Sequence, residues 1–172
     1  GQIRMKAIIY TSNTGSTAEY AQLLGKELNL PVHSLQQAKN KVPAGSEIIY
    51  LGWIMAGGIK GYKEAAKLYK VRAVCGVGMG QTGTQLKEVR DKNAIPQRIP
   101  LFTLQGNFDV KKLHGVYRFM MNVMVKTAGK GLANKTDRTP EEDDMLDMMV
   151  NGGKRVSLQN LKAVTEWYKS LN

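Results

Sequence analysis

Apolar residues along this chain gather into short runs, and the polar stretches between the runs carry apolar positions at helical intervals. Met5-Lys-Ala-Ile-Ile-Tyr10 is the first run. It ends in a Ser/Thr/Gly cluster, after which Thr17, Ala21, Leu24 and Leu28 recur at helical spacing within Gly15 to Leu28, so the pattern predicts strand, loop and helix in that order. Val32 to Leu35, after Pro31, predicts a weaker strand, and Pro43-Ala-Gly45 turns the chain into Glu47-Ile-Ile-Tyr-Leu-Gly-Trp53, a buried strand. Ile59 to Tyr69 reads as a short helix and Val71-Arg-Ala-Val-Cys-Gly-Val77 as a fourth strand. Gly78, Gly80 and Gly83 then lead into a helical segment with Leu86 and Val89, and Ile99-Pro-Leu-Phe-Thr-Leu104 makes the fifth strand.

Strands alternating with helices at this spacing call for parallel crossover units, because a parallel return takes about a dozen residues or more and is usually helical. The expected fold class is α/β, with residues 1–172 forming one domain. A last helix, Ser157 to Leu171, sets Leu158, Leu161, Val164, Tyr168 and Leu171 on one stripe that would cover a sheet face. Before it lies an excursion, 107–153, too long for an ordinary connection. Its first expected helix runs from about Val110 to Ala128, with Leu113, Val116, Tyr117, Met120 and Met124 on one side and Lys111, Arg118, Asn122 and Lys126 on the other. A second begins at Thr139-Pro-Glu-Glu142, where Thr139 is placed as N-cap and Glu142 completes a capping box.

Composition narrows the class. With one cysteine, Cys75, and two histidines, His33 and His114, the chain excludes an internal disulfide framework and a Cys/His zinc cluster. Cys75 sits between Val74 and Val77 and reads as a small buried hydrophobe; the histidines show no constellation. The longest uncharged apolar stretch, Ile48 to Ile59, is broken by Gly52, Gly57 and Gly58 and falls far short of the roughly 20 residues that span a bilayer. No signal-peptide pattern precedes it, Gly1 to Arg4 read as residues set ahead of a natural start at Met5, and the expected setting is cytoplasmic.

Charge adds a partner class. Lys and Arg number 25 against 14 Asp and Glu, a net +11. Lys111 to Arg138 holds seven bases and one acid, Asp137, while Thr139 to Val150 holds five acids and no base. Such an excess is either a solvated surface or an attraction to something anionic: a phosphate-bearing cofactor, an acidic redox partner or an anionic membrane surface met by the basic, Met-rich helix. Nucleic acid is the weakest candidate, since no zinc finger, aromatic RNP segment or helix-turn-helix pattern accompanies the charge.

The chemistry concentrates after the first strand. Thr11-Ser-Asn-Thr-Gly-Ser-Thr17 offers five hydroxyls beside a glycine at a helix start. The first N–H groups of a helix have no intrahelical partner and lie at the positive end of its dipole, so an anion can collect several hydrogen bonds there. One cap needs one hydroxyl, and this loop supplies more. It lacks the Lys of a nucleoside-triphosphate loop and the spaced glycines of a dinucleotide fingerprint. Gly78-Met-Gly-Gln-Thr-Gly83 matches G-x-G-x-x-G, but no acidic residue follows about 20 positions on. A phospho-receiver site would need carboxylates where Thr11 and Ser12 stand.

Ser12-Asn-Thr-Gly-Ser-Thr17 resembles the phosphate loop of the flavodoxin family, Ser/Thr-x-Thr-Gly-x-Thr. The resemblance implies a flavodoxin-like, doubly wound five-stranded parallel sheet in the order 2-1-3-4-5, with FMN at the switch between strands 1 and 3. It also implies the contacts: Thr11, Ser12, Asn13, Thr14, Gly15, Ser16 and Thr17 at the phosphate; Gly52, Trp53, Ile54, Met55, Ala56 and Gly57 in a loop beside the flavin ring; Gly78, Met79 and Gly80 across it; and Gln105, Gly106 and Asn107 at the same edge, offering amides to the ring. The chain departs from the family where aromatic and acidic residues often stand, showing Gly78, Met79 and Gly80 instead. The stretch from Leu104-Gln-Gly-Asn107 through Tyr117-Arg-Phe-Met-Met to Met124-Val-Lys126 is similar to the branch containing menaquinone-dependent protoporphyrinogen oxidase, although methionines at helical spacing also suit an ordinary core.

The leading expectation is an FMN-binding redox protein that transfers electrons through a non-covalent flavin. An FMN- and quinone-dependent oxidoreductase of the protoporphyrinogen oxidase type is the second, and a non-redox binding module on the same fold the third. A basic chain should stabilise the negative charge of reduced flavin better than acidic flavodoxins do, giving a less negative potential.

Overall fold

Along β1, β3 and β5 successive side chains are buried on opposite faces of the sheet, so helices must cover both. The computed structural model describes residues 4–109 and 115–171, except the side chains of 115–122 and 124. In it β1 (Ala7–Thr11), β2 (Val32–Ser34), β3 (Glu47–Met55), β5 (Lys70–Gly78) and β6 (Leu101–Gln105) form a parallel sheet in the order β2-β1-β3-β5-β6, and β4 (Gly58–Ile59) pairs antiparallel with the end of β3. The five parallel strands thus take the expected doubly wound order. The crossovers are α1 (Ser16–Leu28), α2 (Leu35–Lys41), α3 (Tyr62–Leu68) and α4 (Leu86–Asn93), and α5 (Gly115–Asn134), α6 (Pro140–Asn151) and α7 (Lys162–Lys169) follow β6.

Ile9, Ile48, Tyr50 and Val74 pack with α2, α3 and α4 on one face; Ile8, Ile49, Leu51 and Cys75 pack with α1 and α7 on the other. Each buried Ile or Leu contributes about 1.5–3 kcal/mol. This burial sets the register, because a one-residue slip would turn every side chain to the wrong face. The pairs Thr11↔Gly52, Gly52↔Gly76 and Gly78↔Gln105 bring the carboxyl ends of four strands to one edge.

The structure departs from the sequence expectations in several places. Val32–Ser34 ends one residue early because Ser34 caps α2, its hydroxyl accepting from the Gln37 N–H at 3.2 Å. Gly52 to Met55 are strand, not loop: β3 runs on to Met55 and turns through Ala56 (φ 50°) and Gly57 (φ 83°) into β4. Two consecutive positive φ values make the two-residue turn whose twist matches a hairpin. Ala56 holds there a conformation that normally favours Gly or Asn. The final helix opens with a 3-10 turn, Gln159–Leu161, and buries Leu161 and Val164, whereas Leu158 is 48% exposed and off the stripe.

In the excursion, α6 begins as expected, with Thr139 and Glu142 closing a capping box. α5 extends past Ala128 to Asn134; residues 110–114, and the Val116, Tyr117, Arg118, Met120, Asn122 and Met124 side chains, lie outside the described residues, so the two-sided pattern expected there does as well. Part of the charge contrast is internal: Lys135 reaches Glu142 at 2.8 Å and Arg138 reaches Asp143 at 2.7 Å. Among the described residues no helix is long and apolar enough to cross a membrane, and no His/Cys/Asp/Glu group could hold a metal ion.

Cys75 is fully buried, and burial pushes its thiol up to about 12. The thiolate is the reactive form, so the folded protein should not react with a thiol reagent at pH 8 and should react with one equivalent once unfolded in guanidinium, read from the absorbance of the released thiolate. The Lys135 ammonium, and then the Thr139 N–H, hold the Glu142 carboxyl below its ordinary value. A folded value below the unfolded one contributes stability that is complete above the unfolded carboxylate range and lost as pH falls through the folded value. Hydrogen exchange in the first turn of α6 should therefore accelerate as pH drops through that range, after correction for intrinsic exchange, and Glu142→Gln should flatten the dependence.

Candidate functional site

At the aligned strand ends the loop from Thr11 to Gly15 joins β1 to α1. Gly15 is the N-cap of α1 at φ 109°, and no side chain caps the helix. The hydroxyl-rich loop therefore does not consume its hydroxyls in capping its own helix. Ser12 Oγ and Asn13 Nδ2 are buried and meet no hydrogen-bond partner among the described residues. Each such group costs about 1–3 kcal/mol when left unmade, so the loop is built for a polar partner of its own.

Beside it opens a cavity of about 220 Å³, far larger than a packing void, which at most holds a water or so of about 30 Å³. Asn13, Thr14, Ser16 and Thr17 line it from the loop, Trp53, Ile54 and Ala56 from the hairpin, Gly78, Met79 and Gly80 after β5, and Gly106 and Asn107 after β6. Thr11, Ser12, Gly15, Gly52, Met55, Gly57 and Gln105 are not in its wall. The reasons are local. Thr11 Oγ1 lies 2.7 Å from the Tyr50 hydroxyl, which also reaches the Lys60 carbonyl at 2.6 Å. Gly52 packs against that carbonyl so closely that a Cβ would fall 2.5 Å from it.

Gly106 and Asn107 line the cavity, and several polar atoms of Gln105 and Asn107 have partners within the protein. Gln105 Nε2 donates to the Met79 carbonyl at 3.0 Å and to Asp144 Oδ2 at 2.6 Å. Asn107 Oδ1 accepts from the Arg155 and Val156 N–H groups at 2.6 and 3.0 Å, and its own N–H donates to Ser16 Oγ at 2.9 Å. Ser16 therefore ties the start of α1 to the end of β6. Tyr20 adds a second tie, its hydroxyl donating to the Gln105 carbonyl while accepting from Asn160 Nδ2. Burial raises the Tyr20 hydroxyl above its ordinary value, so it stays protonated as the donor this bond needs.

Residues the sequence reading missed complete the wall: Val77 on β5, Gln81 after it, Thr84 and Gln85 before α4, Thr103 and Leu104 on β6, and Phe108, Asp109 and Met145 from the excursion. Asp109 is the one charged lining side chain among the described residues, so none of the described basic side chains lines the cavity. Lys60 Nζ lies 5.9 Å from the centre of the Trp53 ring, a cation–π arrangement on the hairpin side.

The hairpin is held by Asn93, which sequence reasoning passed over as an ordinary α4 residue. Its Nδ2 donates to the Gly57 and Val89 carbonyls at 2.9 and 2.8 Å, and its Oδ1 accepts from the Ile59 N–H at 2.8 Å. Asn93→Ala should lower stability by about 1–3 kcal/mol, because it leaves buried backbone groups unpaired, and should also move the Trp53 emission maximum; denaturant unfolding and fluorescence check both.

The chain matches the family model described as "Flavodoxin domain" over residues 7–135, a span that runs from β1 through α5 and includes the hydroxyl loop and every parallel strand. No curated protein and no solved structure matches it. A match over more than half of the 172 residues, on a sheet of the expected order with its cavity at the carboxyl edge, shows the family: the chain belongs to the flavodoxin domain family.

Proposed function

We propose that this chain binds FMN in the cavity and serves as an electron-transfer flavoprotein. The observation that carries the reading is the loop itself: an α1 N-terminus with no side-chain cap, beside the buried, unpartnered Ser12 Oγ and Asn13 Nδ2. A phosphate supplies acceptor oxygens for those donors and for the first N–H groups of α1, and it needs no lysine when the helix dipole and several hydroxyls act together. Ser12, Asn13, Thr14 and Thr17 would hold it. Trp53, Ile54 and Met79 give the rest of the cavity the apolar wall that a flat ring system requires.

When bound, FMN supplies one- and two-electron chemistry, and the protein's share is binding, orientation and electrostatics. Trp53 and Ile54 exclude water from one side, and Asp109 is the sole acid that the described wall sets near the ring. With one lining carboxylate and a net +11 overall, the reduced, negatively charged form meets little repulsion, so the potential should be less negative than in acidic flavodoxins. The reading takes the whole chain as one unit and an acidic protein as the electron partner. The quinone-coupled alternative turns on the Met120 and Met124 side chains, which lie outside the described residues.

The test is a spectrum and a titration. Purified protein should show a bound flavin that mass spectrometry identifies as FMN, and a colourless protein that fails to quench added FMN would end the proposal. Ser12→Ala should weaken FMN binding about tenfold, the loss of about 1.4 kcal/mol. It should not lower the melting temperature of the flavin-free protein, since the hydroxyl it removes has no partner there.

A further inference from the structure

α6 lies beyond the residues matched to the flavodoxin domain, yet it forms part of the cavity wall through Met145. What seats it there is the preceding residue. Asp144 Oδ2 accepts from Gln105 Nε2 at 2.6 Å, and Arg155 Nη2 lies 3.5 Å from Oδ1. Gln105 Nε2 also donates to the carbonyl of Met79, another wall residue, at 3.0 Å. A side-chain amide has two N–H groups and here both are engaged.

Gln105 is itself fixed. It is 7% exposed, it ends β6, its N–H donates to Thr82 Oγ1 at 2.9 Å and its carbonyl accepts from Tyr20. The excursion that carries α6 is closed at its neck by a two-way bridge between Phe108 and Gly153, at 2.8 and 3.2 Å. Asp144 and Met145 are adjacent on α6, so the bond that fixes the one orients the other.

We infer that Gln105 is a positioning residue for the ligand cavity: one N–H fixes the Met79 carbonyl, the other seats α6 through Asp144, and together they set Met79 and Met145 against the bound ring. The inference rests on the FMN reading and deepens it. The excursion becomes part of the flavin site, with two soft, polarizable thioethers in the wall; sulfur makes favourable contacts with aromatic rings.

The experiment compares wild type, Gln105→Leu, Asp144→Ala and Asp144→Asn. In flavin-free protein, hydrogen exchange of the α6 amides beyond the first turn reads the seating directly. In FMN-loaded protein, stopped-flow fluorescence reads flavin dissociation. Gln105→Leu and Asp144→Ala should each accelerate both by about tenfold, the effect of one lost charge-assisted hydrogen bond. Asp144→Asn should stay within about threefold of wild type, because its side-chain oxygen still accepts from Gln105 through a neutral bond about half as strong. Unchanged α6 exchange in Gln105→Leu would overturn the inference. So would Asp144→Asn matching Asp144→Ala, which would assign the seating to Arg155, or faster exchange with unchanged FMN dissociation. Should Gln105→Leu fail to fold, the Asp144 pair decides. Should wild type take up no FMN, the functional reading fails, and α6 exchange in the flavin-free variants still accepts or rejects the role of Gln105.

Discussion

The parallel register of β1, β3, β5 and β6 is the constraint on which the site depends. Burial on both faces leaves each strand one acceptable alignment, and that alignment delivers the segments after Thr11, Met55, Gly78 and Gln105 to a common edge. Parallel strands leave their connecting loops there with backbone groups the sheet cannot satisfy. At three of the four segments the chain supplies its own partners. Asn93 serves the hairpin, Thr103 Oγ1 accepts from the Gly83 N–H after β5, and Tyr20, Ser16 and Thr82 serve the end of β6. Only the loop after β1 keeps buried side-chain polar atoms unserved among the described residues. The contrast singles out that loop more sharply than its hydroxyl content does.

Charge behaves differently from what the composition alone implies. A net +11 invites a search for anionic partners, yet the acidic run of α6 answers bases nearby in the chain: Lys135, Arg138 and Arg155 pair with Glu142, Asp143, Asp144 and Asp147. These pairs are partly exposed and individually weak. They tie the start of α6 to the segment before it and its middle to Arg155, and none of the described bases lines the cavity.

What was legible in the sequence was local. The loop from Ser12 to Thr17, the Thr139 capping box and the strand order carried by a family resemblance each depend on neighbours in the chain. The hairpin was not legible, because Ala56-Gly57 lacks the Asn-Gly signature of its turn and the strand expected to end at Trp53 continues through Ile54 and Met55. α2 was missed because seven residues with Leu35 and Ala38 buried give too little periodicity to see. Asn93 hides for another reason, and so do the partners of Gln105 and Asn107. An amide's role lies in which backbone groups the tertiary fold brings to it, and no spacing rule encodes that. Met145 and Phe108 reach the cavity only because the excursion folds back.

The Phe108–Gly153 bridge has an evolutionary consequence. The chain leaves the sheet and returns to it across a single pair of backbone hydrogen bonds, so the intervening stretch begins and ends at nearly the same point in space. The closure entropy of such a stretch grows only with the logarithm of its length, by about 0.6 kcal/mol per doubling. Segments of very different size can therefore be exchanged there while β6 and α7 keep their places, leaving the fold free to acquire a new rim for its binding cleft by insertion alone.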